Sequence, residues 1–309
     1  MESREYLQLL GVGATTLAFC ALSISELFAP AISVSEAQKR FIDTVQSSDP
    51  RVIVLDPWKD REEAIEIATR SFNGTEATAP EGNLDWALGP ELSSKWSDPK
   101  RVSVIRWVMS WSFDKAAHFG VCFGIRDPST GKLDAVAMTM HPGSTHKGII
   151  HEGIEMFLGI VRNGAPPWQS KEYSKTVDKR VNELGKIMPA AHKKMAPTDH
   201  WFASSLALFR HDKLALDCAT VLEGAGLDRY LMVLAVDPKS QGQGAGGALL
   251  RHLNTLADTH NVPIYLETSG SRNAGIYHRK GYTMREDFKM EEGGASQTFI
   301  TMLRPAKAR

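Results

Sequence analysis

The chain has 309 residues, 42% hydrophobic and 23% charged, enough apolar material for one large core or two smaller ones. Lys+Arg and Asp+Glu are equal at 36 each, which leaves no basic field of the kind a nucleic-acid binder needs. Cys20, Cys122 and Cys218 are too few and too scattered for a disulfide framework or a zinc site, and they suit a reducing, cytoplasmic compartment.

Tyr6–Ser25 carries no charge and is about long enough to cross a bilayer. Glu2 and Glu5 offset Arg4, so the run lacks the positive flank of a signal sequence. A membrane anchor or signal, a hydrophobic helix packed on the domain and a misplaced start are all open readings, and residues 1–49 are set outside the core. Arg51–Pro57 predicts the first strand. Arg61–Phe72 predicts a helix with Ala64, Ile65, Ile67 and Ala68 on its apolar face. Asn73-Gly74-Thr75 is a glycosylation acceptor only in a secreted protein. Asn83–Phe119, with Trp86, Trp96, Trp107 and Trp111, predicts a second helical region whose aromatics serve core packing or a substrate cleft.

Gly120–Asp127 and Leu133–His141 alternate as an antiparallel hairpin, turning at Pro128-Ser129-Thr130-Gly131. His141, His146 and His151 follow at five-residue steps. That spacing matches no metal-ligand pattern, so no metal is expected; a substrate-side role for His141 or His146 stays open. Gly153–Val161 and Lys171–Ala191 read as helices. Phe202–Arg229 shows helical apolar spacing at Leu206, Phe209, Leu214, Leu216 and Leu222.

Tyr230–Gly247 is the stretch that carries chemistry. A strand, Leu231–Val236, ends at Asp237-Pro238; a glycine-rich turn, Gln241-Gly242-Gln243-Gly244-Ala245-Gly246, leads into an amphipathic helix bearing Ala248, Leu249, Leu250, Leu253 and Leu256. Such a turn aims unpaired first-turn N–H groups at one point, where the helix dipole favours phosphate. The glycines do not fit a dinucleotide fingerprint, and no Gly-Lys-Ser/Thr closes the loop as in a P-loop. Pro263–Thr268 predicts another strand, and Arg272–Tyr277 opens a second helix ending at Gly281-Tyr282. Tyr282–Phe288 and Thr298–Leu303 predict two last strands around Gly293-Gly294.

V-x-P followed by Q-x-x-G-x-G, at Val236, Pro238, Gln241, Gly244 and Gly246, resembles the pyrophosphate loop of the GNAT acyl-CoA acetyltransferases. The segment VPIYLETSGSRNAGIYHRKGY is similar to the second half of that core, and its L-E-T-S, R-N and tyrosine resemble the puromycin N-acetyltransferase branch. The resemblance implies an α+β (α/β) fold, with a mixed, mostly antiparallel twisted sheet flanked by helices and splayed fourth and fifth strands, over residues 50–305. It implies acetyl-CoA as co-substrate, held by Leu234, Ala235, Val236, Gln241, Gly242, Gln243, Gly244, Ala245, Gly246, Asn273 and Tyr277. Leu234 and Val236 would contact it through the main chain, and Asn273 would bond the pantetheine arm. Tyr277 would protonate the departing thiolate. Glu267 would serve as base or hold the cationic amine, unless it merely pairs with Arg272 or Arg279.

In the puromycin-acetyltransferase branch the tryptophan after Pro197-Thr198-Asp199-His200 runs almost directly into the V-x-P strand. Removing Phe202–Arg229 restores that pattern, so the segment reads as an insertion or as an unspliced intron translated in frame. The expected activity is acetyl transfer to a primary amine of a small molecule in a ternary complex, by a monomer or homodimer. A protein lysine or N-terminal acetyltransferase, and a non-catalytic acyl-CoA-binding protein with its site blocked by the insertion, are the other readings.

Overall fold

The computed structural model describes residues 43, 50–75, 82–93, 95–140, 159–173, 175–195, 201–204, 230–261, 263–292 and 295–307. The Tyr6–Ser25 run, His141, His146, His151, the first part of Gly153–Val161 and residues 205–229 lie outside them. In chain order the elements are β1 (Val52–Val54), α1 (Arg61–Asn73), α2 (Asn83–Leu92), α3 (Pro99–Phe119), β2 (Gly120–Arg126), β3 (Leu133–Met140) and α4 (Lys175–Met195). After these come β4 (Trp201–Ser204), β5 (Tyr230–Val236), α5 (Ala245–Thr259), β6 (Ile264–Ser269), α6 (Ser271–His278), β7 (Thr283–Glu292) and β8 (Ala295–Arg304).

Local chemistry sets several of these boundaries. Glu62 and Glu63 sit in the first turn of α1 and Arg70 in its last, complementing the helix dipole, and Gly74 ends it at φ 72°. Asp98 caps α3 by accepting from Lys100 N, with Pro99 in the first turn. The helical region predicted over Asn83–Phe119 consists of two helices, and the first is itself broken at Gly89, beside Pro90.

The eight strands form one sheet in the order β1-β2-β3-β5-β4-β6-β8-β7. All pairings are antiparallel except those of β4, which runs parallel to both neighbours. Period-two alternation splits the core into two layers. Val136, Met138, Val233, Ala235 and Phe299 face α1, α2, α3 and α4. Ala135, Ala137, Ile264, Leu266 and Met302 pack with Ala248, Leu249, Leu253 and Leu256 of α5.

Where a helix was expected to begin at Phe202, residues 202–204 are strand. β4 lies between β5 and β6, aligning Phe202 with both Tyr230 and Tyr265, and Ala203 with both Leu231 and Leu266. Three residues thus hold, along β6, the positions that Tyr230–Met232 would reach if Trp201 ran straight on into β5. The expected fourth strand is present as two pieces.

Asn73 is drawn inward: its Nδ2 donates to Trp96 O at 2.6 Å and its Oδ1 accepts from Arg101 Nε at 3.0 Å. An amide engaged in this way is a poor glycan acceptor. Among the described residues no helix is long and apolar enough to cross a membrane.

Candidate acyl-CoA site

Two features of β5 build the site. The first is an open edge. Met138 faces Val233 while Thr139 faces Leu231, so Met232 is an extra, bulged residue. Asp237 N–H donates to Asp134 O at 2.8 Å, which fixes the phase of the ladder. Alternation from that bond turns the main-chain groups of Val236 and Leu234 away from β3. On that far side the β4 pairing covers only Tyr230 and Leu231. Beyond it, β5 and β6 share no ladder among the described residues, and among these the gap-facing N–H and C=O groups of Leu234 and Val236 have no strand partner.

The second feature is the glycine turn. Pro238–Ser240 forms a short 3-10 turn, and Gly244 is the N-cap of α5 at φ 89° with no side-chain cap. Gly242 lies at φ 81°. Both glycines have the left-handed backbone that only glycine adopts readily, and both have open space where a Cβ would be. A Cβ at Gly246 would stand 2.8 Å from Val236 Cγ2, so glycine here lets α5 start directly against the strand. Gln241, Gly242, Gln243 and Gly244 are exposed and Ala245 is half-buried; Gln243 Nε2 donates to Lys239 O at 3.2 Å. The uncapped first turn therefore presents N–H donors to solvent at the end of the open edge.

The loop entrance is held by residues that carry no motif. Asp237 Oδ2 accepts from Arg70 Nη2 at 2.5 Å and its Oδ1 from Lys239 N at 3.0 Å. Ser240 Oγ donates to Asp134 Oδ1 at 2.5 Å. Only the Asp-Pro step hinted at this arrangement; Arg70 and Asp134 come from α1 and β3, too far along the chain for any local pattern to join them.

The titratable candidates fall on opposite faces. Ile264 and Leu266 face α5, so Tyr265 and Glu267 face the α1–α4 layer. Glu267 is 3% exposed and accepts from Tyr265 OH at 3.2 Å. Burial, with the Glu267 carboxylate beside it, pushes the Tyr265 phenol far up, so it stays a donor. Arg272, on α6, and Arg279, which follows its last residue, are exposed.

Tyr277 packs on the α5 side. Its ring meets that of Tyr282 edge-on, centroids 5.7 Å apart, and Tyr282 OH donates to Asn254 Oδ1 of α5 at 3.0 Å. Burial pushes the Tyr277 hydroxyl up to about 12. Asn273 is half-buried, with Nδ2 donating to Ser269 O at 3.2 Å. Leu234, Val236, Glu267, Asn273 and Tyr277 thus all belong to the two strands flanking the gap or to the helix that follows β6. Among the described residues no group of three or more His, Cys, Asp or Glu could hold a metal ion.

This architecture, a mixed sheet with flanking helices and a divided fourth strand, is the GNAT acyl-CoA fold. Residues 205–284 match the family model described as Acetyltransferase (GNAT) domain. Among solved structures, the chain is similar to a histone acetyltransferase HPA2 and related acetyltransferase from Corynebacterium glutamicum, at 16% identity, covering 84% of this chain and 97% of that one, TM-score 0.45. It is also similar to arylalkylamine N-acetyltransferase 2 from Aedes aegypti (13%, 83% and 99%, 0.46) and to a polyamine N-acetyltransferase from Drosophila melanogaster (12%, 82% and 99%, 0.41).

Proposed function

We propose that this chain is an acetyl-CoA-dependent N-acetyltransferase that acylates a primary amine of a small molecule by direct attack in a ternary complex. The observation that carries the reading is the open edge of β5, with Leu234 and Val236 facing the gap, running into an uncapped, glycine-lined helix terminus. An acyl pantetheine lying in the gap would pair with that edge as an extra strand, its pyrophosphate on the N–H groups of Gln241–Gly246. The likeness of Pro263–Tyr282 to the puromycin N-acetyltransferase branch points to a small acceptor, though it covers only the cofactor half of the fold.

The chemistry follows from the two faces. A lysine-like amine is protonated at neutral pH, with a pKa of about 10.4, and must lose its proton before attack. Glu267, buried on the α1–α4 face, attracts the ammonium and takes that proton directly or through a water. A main-chain N–H of β5 donates to the carbonyl oxygen as negative charge collects there, worth roughly 3–4 kcal/mol for one fixed donor. Tyr277, on the other face, meets the sulfur. Its hydroxyl, raised to about 12, lies above a thiol's ordinary pKa of about 8.5. Complete proton transfer from Tyr277 is therefore uphill. Its contribution is a hydrogen bond to the sulfur while charge grows there: attack forms the C–N bond, collapse breaks the C–S bond, and the second proton lost by the amine nitrogen ends on the thiolate.

The position of β4 between β5 and β6 favours one other reading, an acyl-CoA-binding protein without turnover, because β4 shortens the gap at its narrow end. One experiment separates the two. Full-length protein is tested for thermal stabilisation by acetyl-CoA, then for release of free CoA with a panel of primary amines. Stabilisation with amine-dependent release supports the enzyme, stabilisation alone supports the binder, and neither overturns both.

A further inference from the structure

We propose that Arg70 and Asp134 are positioning residues that hold the entrance of the glycine loop in the shape that receives the cofactor's phosphates, an inference that rests on the acyl-CoA reading above. Asp237 and Ser240 bracket that entrance and are 7% and 9% exposed. Both are tied at main chain and side chain. Asp237 N–H donates to Asp134 O at 2.8 Å, and Ser240 N–H to Asp237 O at 2.8 Å. Ser240 Oγ donates to Asp134 Oδ1, while the Asp237 carboxylate bridges Lys239 N and the Arg70 guanidinium. The next four residues, Gln241 to Gly244, are exposed.

The stretch therefore passes from buried to exposed within one residue. Beyond Ser240, Gln243 bonds only back to the anchored part, its N–H to Ser240 O at 3.4 Å and its Nε2 to Lys239 O at 3.2 Å, so the anchors decide where the exposed part starts. Arg70 matters beyond its bond because of where it comes from. It lies in the last turn of α1, which packs on the face that carries Glu267, whereas the loop leads into α5 on the opposite face. The Arg70–Asp237 pair crosses the end of the sheet and ties the layer of the amine to the layer of the cofactor. Its side chain is 45% exposed against 11% for Asp237, so its loss leaves the core packed. A loop released at its entrance must be ordered again by the ligand, and that ordering is subtracted from affinity. The thioester-facing donors sit on β5 inside the sheet and stay in place. The expected signature is weaker cofactor binding with unchanged turnover.

The test measures CoA binding by calorimetry and steady-state kinetics with acetyl-CoA, for wild type, Arg70→Ala, Arg70→Lys and Ser240→Ala. Arg70→Ala is expected to raise the Kd for CoA and the KM for acetyl-CoA about five- to tenfold with kcat within about twofold, in line with a half-exposed ion pair. Arg70→Lys should recover most of the loss, since an ammonium can still meet Asp237, and Ser240→Ala should weaken binding about threefold. Arg70→Ala protein that melts earlier yet binds CoA as tightly as wild type would overturn the proposal and leave the acyl-CoA reading intact. Wild-type protein that ignores CoA would overturn both.

Discussion

At the scale of single residues, Tyr277 and Glu267 make separable demands. Tyr277→Phe removes one hydrogen bond to a charged atom, worth about 2 kcal/mol, so kcat should fall about 30-fold. Burial holds the Tyr277 proton up to about pH 12, so wild type and Tyr277→Phe should show parallel pH profiles up to about pH 10. An alkaline limb near pH 10 that is present in wild type and absent in the variant would contradict this role. Glu267→Gln keeps the size of the side chain and its bond to Tyr265 OH but loses the charge. It should lower kcat/KM for the amine about 100-fold, the low end of general-base contributions; unchanged kinetics would leave Glu267 as packing. These two residues were visible in the sequence because each belongs to a short fixed pattern, L-E-T-S and R-N-x-x-x-Y. The roles of Tyr265 and Tyr282, which steady them, were not, although both stand in the same stretch. A tyrosine's partner depends on how the strand and helix meet, and neither Glu267 nor Asn254 announces that meeting by its spacing.

At the scale of elements, the loop glycines and the divided strand are the parts to perturb. Gly244 is at φ 89° with open space around it, so Gly244→Ala fails through backbone strain alone, by about 1–2 kcal/mol. CoA affinity should fall about tenfold while the fold persists, readable by calorimetry. Hydrophobic alternation revealed β2, β3, β5 and β6 because each has at least one face buried against helices. It misassigned residues 202–204, whose strand state comes from two neighbours, β5 and β6, that lie later in the chain. A short segment between two partners takes its conformation from the ladder, whatever its own periodicity. Deleting Phe202–Arg229 should place Tyr230–Met232 directly beside Tyr265–Glu267 and yield protein that binds acetyl-CoA at least as tightly as the full chain. Loss of binding on deletion would mean that β4 is an integral part of the site.

At the scale of the molecule, the sheet is closed at the α5–β8 corner by one bidentate ion pair. Arg304 Nη1 and Nη2 donate to Asp258 at 2.9 and 2.6 Å, and Lys307 N–H donates to the same carboxylate at 2.9 Å. Burial by itself raises the Asp258 pKa, but Arg304 and the Lys307 N–H outweigh it and hold it below the ordinary value. A carboxylate depressed in the fold stabilises at pH above its unfolded value, near 3.9, and that stability is lost as pH falls through the folded value. Asp258→Asn should therefore cost about 2 kcal/mol at pH 7, because the Arg304 side chain is only 5% exposed. The difference in Tm should stay level from pH 7 to 5 and shrink below about pH 4; a gap that widens on acidification would contradict the assignment. Nothing in the sequence foretold this pair, since 46 residues separate its members.

The roles given to Tyr277, Glu267, Arg70 and the loop glycines require the cofactor to lie along β5. Amide hydrogen exchange of the full chain, with and without CoA, reads that placement directly. The expected result is slowed exchange at Leu234, Val236 and the N–H groups from Gln241 to Gly246, with the far edge strand β1 unchanged. Saturating CoA that leaves exchange across Leu234–Gly246 as fast as in free protein would contradict it.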